Sequence, residues 1–84
     1  MYRVEVSHAA HRQILRLPAR TQERVNQTIA RLAENPRPHG SKKLTNREGY
    51  RIRVGDYRIL YVVDDSGKLV VIYRVMERGE VYRG

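Results

Sequence analysis

From Tyr2 to Val6 apolar and polar residues alternate at a period of two, which predicts a first strand ending at Ser7. The Ser7 hydroxyl stands where it caps the first free N–H groups of a helix beginning near His8. Ala10, Ile14 and Leu17 follow at i, i+4 and i+7, the apolar stripe of that helix. Pro18 disfavours helix in the residue before it, so the first helix stops near Leu17 and Pro18 opens a second, from about Ala19 to Glu34. Val25, Ile29 and Leu32 form its inner face, while Arg20, Glu23, Arg24, Gln27 and Arg31 point outward. Asn35-Pro36 ends it.

Residues Arg37 to Arg47 contain Pro38, Gly40, Ser41, Lys42, Lys43 and Asn46, with Leu44 the one evident anchor, and read as a loop. At Tyr50 the period returns to two. Tyr50, Ile52 and Val54 face one way, Arg51 and Arg53 the other, and Gly55-Asp56 is a two-residue hairpin turn. Tyr57 to Val63 and Leu69 to Met76 are β-branched runs joined by Asp64-Asp65-Ser66-Gly67, so the second half is a three-stranded meander. The order β-α-α-β-β-β implies an α+β fold: a mainly antiparallel sheet with an αα-hairpin packed on one face and the other face open to a ligand. With no repeat or linker, residues 1–84 are expected to form a single domain.

Composition narrows the chemistry. The absence of cysteine excludes disulfide scaffolds, thiolate metal sites and cysteine nucleophiles, and suits a reducing cytoplasm. No signal peptide or membrane anchor is expected, since no apolar stretch approaches spanning length. Seventeen Lys and Arg against nine Asp and Glu give a net charge of +8 and a pI near 10.4, which favours nucleic acid first and an acidic protein partner second.

That charge is concentrated. Between Arg37 and Arg58 stand seven basic residues (Arg37, Lys42, Lys43, Arg47, Arg51, Arg53 and Arg58) and two acids, Glu48 and Asp56, so this segment carries five of the eight net charges. A two-residue turn at Gly55-Asp56 sets Arg53 opposite Arg58 and puts Arg51 on the same face. Directly opposed like charges destabilise a sheet, and a phosphate would neutralise them. The same arginines also suit a solvated face whose stems cover Leu60. His8, His11 and His39 are the only histidines, and no cluster of His, Asp or Glu shows metal-ligand spacing, so neither a metal nor a cofactor is expected.

Asn35-Pro36-Arg37-Pro38-x-Gly40, Lys43-Leu44, Gly49-Tyr50-Arg51-Ile52-Arg53-Val54-Gly55-Asp56-Tyr57-Arg58-Ile59-Leu60-Tyr61 and Arg78-x-Glu80-Val81-Tyr82 resemble the RelE branch of the RelE/ParE toxins over nearly the whole chain. The resemblance implies a toxin of a toxin–antitoxin pair that enters the ribosomal A site and cleaves messenger RNA there, silenced by its antitoxin. It carries the family's catalytic set onto Arg51, Arg53, Arg58, Arg78 and Tyr82. Arg37, Lys42, Lys43 and Arg47 are expected to bind RNA. Operator DNA is expected to be reached only through the antitoxin.

Without a metal, the nucleophile is expected from the substrate: RNA supplies a 2′-hydroxyl and DNA does not. Arginine is a poor proton acceptor, so another group must help remove the 2′-hydroxyl proton. Tyr82 is the first choice, though a stacking platform or a packing residue at the chain end fits the same position. Glu77 stands where relatives carry His or Lys; it would serve as general base or pair with Arg58 or Arg78 and weaken the anion site. Glu48 is a second possible base. An ideal meander puts Tyr73, Val75 and Glu77 on the arginine face and turns Arg78 away, so Arg78 needs a bulge or strand end near Gly79. Two other readings stay open: a ParE-like inhibitor of DNA gyrase, and a degenerate module that binds RNA or antitoxin without turnover.

Overall fold

A computed structural model describes residues 1–77. Arg3–Val6 forms β1, His8–Leu15 α1, Ala19–Glu34 α2, Lys42–Lys43 β2, Tyr50–Val54 β3, Tyr57–Asp64 β4 and Leu69–Glu77 β5. One sheet holds all five strands in the order β1-β5-β4-β3-β2; β1 runs parallel to β5 and the other neighbours are antiparallel.

Ser7 caps α1 as expected, its hydroxyl accepting the Ala10 N–H at 3.1 Å. The helix ends two residues before the expected Leu17. Pro18 forces Leu17 towards extended backbone, and the chain tightens first, with Arg16 N–H bonding the Gln13 carbonyl and Leu17 N–H that of Ile14. Gln22 of α2 donates its side-chain amide to the Leu17 carbonyl at 2.8 Å and to that of Leu15 at 3.3 Å, tying the two helices together. Tyr2 falls outside β1 because its N–H turns to the Ala33 carbonyl near the end of α2.

The helices lie on one face. Ala10, Ile14, Val25 and Leu32 pack with Ile52, Val54, Ile59, Tyr61, Val70, Ile72 and Val75, with Leu17 and Ile29 at the margin. Leucine and β-branched residues at the predicted periods account for most of this core.

Two features depart from the expected meander. The segment read as a loop contains β2, which pairs with the outer edge of β3, Lys42 opposite Arg51 and Lys43 opposite Tyr50. On the other side of the sheet, Tyr61 faces Ile72 but Leu60 faces Arg74, so Tyr73 is an extra residue in β5. That bulge inverts the alternation. Before it Val70 and Ile72 point into the core; after it Val75 does, opposite Ile59, while Arg74 and Met76 join the face of Leu60 and Arg58.

Candidate anion-binding cleft

The face away from the helices carries the arginines. Gly55 takes a φ of 59° and is the only one of the two turn residues with positive φ, so the hairpin closes in two residues and Val54 meets Tyr57. Arg53 therefore lies opposite Arg58. One strand further out, Lys42 lies opposite Arg51. The four cations line a cleft of about 390 Å³ together with Gly40. No carboxylate lines it among the described residues.

Their environments differ. Arg53 is exposed and Arg51 half-buried, whereas Arg58 is only 1% exposed. Leu60, on the same face, is also buried. A buried guanidinium is costly in a protein, so this face is not simply a row of solvated arginine stems.

The other sequence-selected residues divide. Lys43, opposite Tyr50, belongs to the helix-facing side of the sheet. Arg47 and Glu48 are exposed in the bend before β3, and neither lines the cleft. Glu77 lies opposite Tyr57, whose partner Val54 is in the core, so the bulge at Tyr73 has moved Glu77 off the arginine face. The expectation that Glu77 acts there as a base or pairs with Arg58 is corrected accordingly. Arg78 and Tyr82 lie outside the described residues.

Arg37 is engaged elsewhere. Its guanidinium grips Asp65 at 2.7 and 3.2 Å, donates to the Tyr50 hydroxyl at 2.9 Å and lies over the Tyr50 ring. Tyr50 stacks on Tyr61, whose hydroxyl donates to the Pro36 carbonyl at 2.7 Å. Asp65 also accepts from the Tyr2 hydroxyl at 2.6 Å. The Asp65 carboxyl is held below its usual range by Arg37 and then by Tyr2, and Arg37 is held above its own chiefly by Asp65. Burial pushes the Tyr61 phenol up. Arg37 thus ties the chain after α2 to β3 and to the β4–β5 turn.

A second cleft of about 230 Å³ adjoins the first, sharing Gly40 and Arg53 with it; Thr28, Arg31, Pro38, His39 and Ile52 complete its lining. Sequence reasoning missed His39 here, having weighed it only as a metal ligand. No local pattern in the sequence singles it out; only the folded backbone shows that the place beside it is open, Gly40 having a φ of +98° and nothing within 4 Å of where a Cβ would stand.

The family described as ParE toxin of type II toxin-antitoxin system, parDE, matches residues 4–82. Toxin RelE of Mycobacterium tuberculosis is 32% identical over 84 residues, covering 98% of this chain and 87% of that protein. The toxin–antitoxin complex RelBE2 of M. tuberculosis contains a chain with a TM-score of 0.81 and 32% identity, over 92% of this chain and 98% of that one. The archaeal RelE-RelB complex of Pyrococcus horikoshii OT3 gives a TM-score of 0.80 at 27% identity, over 93% and 96%. The chain belongs to the RelE/ParE superfamily of toxins of type II toxin–antitoxin systems.

Proposed function

We propose that this member of the RelE/ParE superfamily is a metal-independent endoribonuclease that cleaves messenger RNA in the ribosomal A site. The observation that carries the reading is the cleft in which Lys42, Arg51, Arg53 and the buried Arg58 converge from three strands. A phosphodiester seated there meets fixed cations on several sides. Attack of the 2′-oxygen on the adjacent phosphorus forms the new P–O bond and breaks the bond to the 5′-oxygen. The products are a 2′,3′-cyclic phosphate and a 5′-hydroxyl. Charge builds on the phosphoryl oxygens in the transition state, and guanidinium groups already in position stabilise it without reorganisation. Arg78 joins this set by family resemblance. A base must take the 2′-hydroxyl proton and an acid must return one to the 5′-oxygen; Tyr82 is assigned the orienting role at the 2′-hydroxyl.

A cognate antitoxin is the expected partner, as the RelBE2 complex and the archaeal RelE-RelB complex are toxin–antitoxin assemblies. Operator DNA would be reached through it.

The test is translation in vitro with ribosomes stalled on a defined message, 5′ ends being mapped by primer extension. Wild type should cut within the A-site codon. The Arg58→Ala, Arg78→Ala double variant should lose about 10²-fold or more, the scale of removing one preorganised charge-stabilising donor. Arg58→Lys, with folding checked by circular dichroism, separates loss of the guanidinium from loss of the fold. The matched family carries the ParE name, which favours one second reading, inhibition of DNA gyrase. If wild type leaves the message intact and blocks supercoiling, that reading replaces the nuclease; if neither target responds, the chain is a binding module without turnover.

A further inference from the structure

Part of β3 is an open edge. The strand β2 begins at Lys42, opposite Arg51, so among the described residues no strand flanks Arg53 on its outer side. The hairpin fixes which backbone groups this leaves facing outward. Val54 and Tyr57 close the turn as a hydrogen-bonded pair, and in an antiparallel ladder such pairs alternate with pairs whose N–H and C=O point away from each other. Arg53 opposite Arg58 is of the second kind. The outer ladder agrees: Leu44 N–H bonds the Gly49 carbonyl at 2.9 Å, and two residues on Arg51 faces Lys42, so Gly49, Arg51 and Arg53 all aim their backbone outward. Among the described residues, no protein hydrogen bond takes up the Arg53 N–H or C=O on that side.

The 230 Å³ cleft lies at this gap. Gly40, just before β2, bounds it on one side; Ile52 and Arg53 bound it on β3, and Thr28 and Arg31 on α2. Pro38 and Ile52 give it apolar surface, and His39 adds a planar ring. Because Gly40 has no side chain, nothing from that residue divides it from the arginine cleft.

We infer that this second cleft is a nucleobase subsite, taking the base of the nucleotide next to the phosphate held by the arginines. The inference rests on the RNA reading above. The polar edge of the base meets the Arg53 N–H and C=O, a donor and an acceptor side by side, as every base offers an adjacent acceptor and donor on its Watson–Crick edge. Its ring lies against Ile52 and Pro38 beside the His39 imidazole. Arg31 meets the flanking backbone or base edge from α2. The arginine cleft thus binds any nucleotide, and the second cleft distinguishes a base from an empty sugar.

Amide resonances read this directly. The ¹⁵N-labelled chain is titrated with each ribonucleoside 3′-monophosphate and, separately, with ribose 5-phosphate, which has the anion and sugar without the base. The nucleotides should shift Thr28, Arg31 and His39, which line the second cleft alone, and move the Arg53 amide proton further downfield than ribose 5-phosphate does, while ribose 5-phosphate shifts only residues that line the arginine cleft. Thr28→Trp fills the second cleft from α2 and should abolish the base-dependent shifts while keeping those due to phosphate; its own spectrum reports whether it folds. If nucleotides and ribose 5-phosphate move the same residues, or if Thr28→Trp leaves the base-dependent shifts intact, the subsite is overturned and the phosphate cleft stands. If no ligand shifts either cleft, the RNA reading fails and the subsite fails with it.

Discussion

Asp65 accepts hydrogen bonds from Arg37, which follows α2, and from Tyr2, which precedes β1. Both partners hold its carboxyl below the ordinary value of 3.8, so the unfolded chain takes up this proton more readily than the folded one. The stabilisation is therefore present above about pH 4 and is lost as the pH falls through the lowered folded value. Asp65→Asn should lower the urea midpoint near pH 6, and the gap from wild type should narrow as the pH is taken below about 4; a gap that stays constant would show that the carboxylate's charge contributes nothing. The sequence displayed Arg37 as one more cation in a basic segment. Its partner stands 28 residues away, beyond any local pattern, so its use as a structural tie was illegible. Arg51, Arg53 and Arg58 were legible for the opposite reason: a two-residue turn fixes register across adjacent strands, and register fixes the face. Glu77 was misplaced because one extra residue at Tyr73 inverts everything beyond it, and Tyr73 looks like any other strand tyrosine in the sequence.

Elements were readable where the apolar period is long. The second helix begins and ends where Pro18 and Asn35-Pro36 predict, β3 follows its alternation, and β4 follows its apolar run. The strand β2 was not, because two lysines carry no period and their pairing is dictated by the neighbouring edge of β3. What holds β2 in place is the bend between it and β3. Gly49 has a φ of +115°, and a Cβ there would stand 2.5 Å from the Tyr61 carbonyl oxygen, a backbone atom of the central strand that cannot swing aside. Gly40, before β2, has a comparable φ of +98° with open space around it. Gly40→Ala should therefore cost only the backbone strain, about 1–3 kcal/mol. Gly49→Ala should cost that and the displacement of β3 from β4 as well. Urea unfolding of the two variants side by side checks the order; equal losses would mean that β3 yields at Gly49 without cost.

At the scale of the molecule, the charge that the sequence concentrates between Arg37 and Arg58 is divided by the fold. Arg37 is paired with Asp65, Lys43 belongs to the helix-facing side and Arg47 lies in an exposed bend, leaving Lys42, Arg51, Arg53 and Arg58 around one cleft. The difference is measurable through counterion release, since each phosphate neutralised on a single strand contributes about −0.7 to the slope of log K against log salt. If each of the four described cations of the cleft neutralises a phosphate of the strand, they contribute a slope of about −2.8 and a fall in affinity of roughly 50-fold between about 50 and 200 mM salt; all seven of the segment would contribute about −4.9 and a fall of roughly 900-fold. A single-stranded RNA blocked at its 2′-hydroxyls, titrated by fluorescence anisotropy across that range, tells these apart. Arg51→Ala should make the slope shallower by about 0.7. Arg37→Ala should leave the slope alone, because its charge is already set against Asp65 and its loss is felt in stability. If Arg37→Ala lowers the slope as much as Arg51→Ala does, the basic segment works as one undivided surface, and the confinement of RNA contacts to the arginine cleft is wrong.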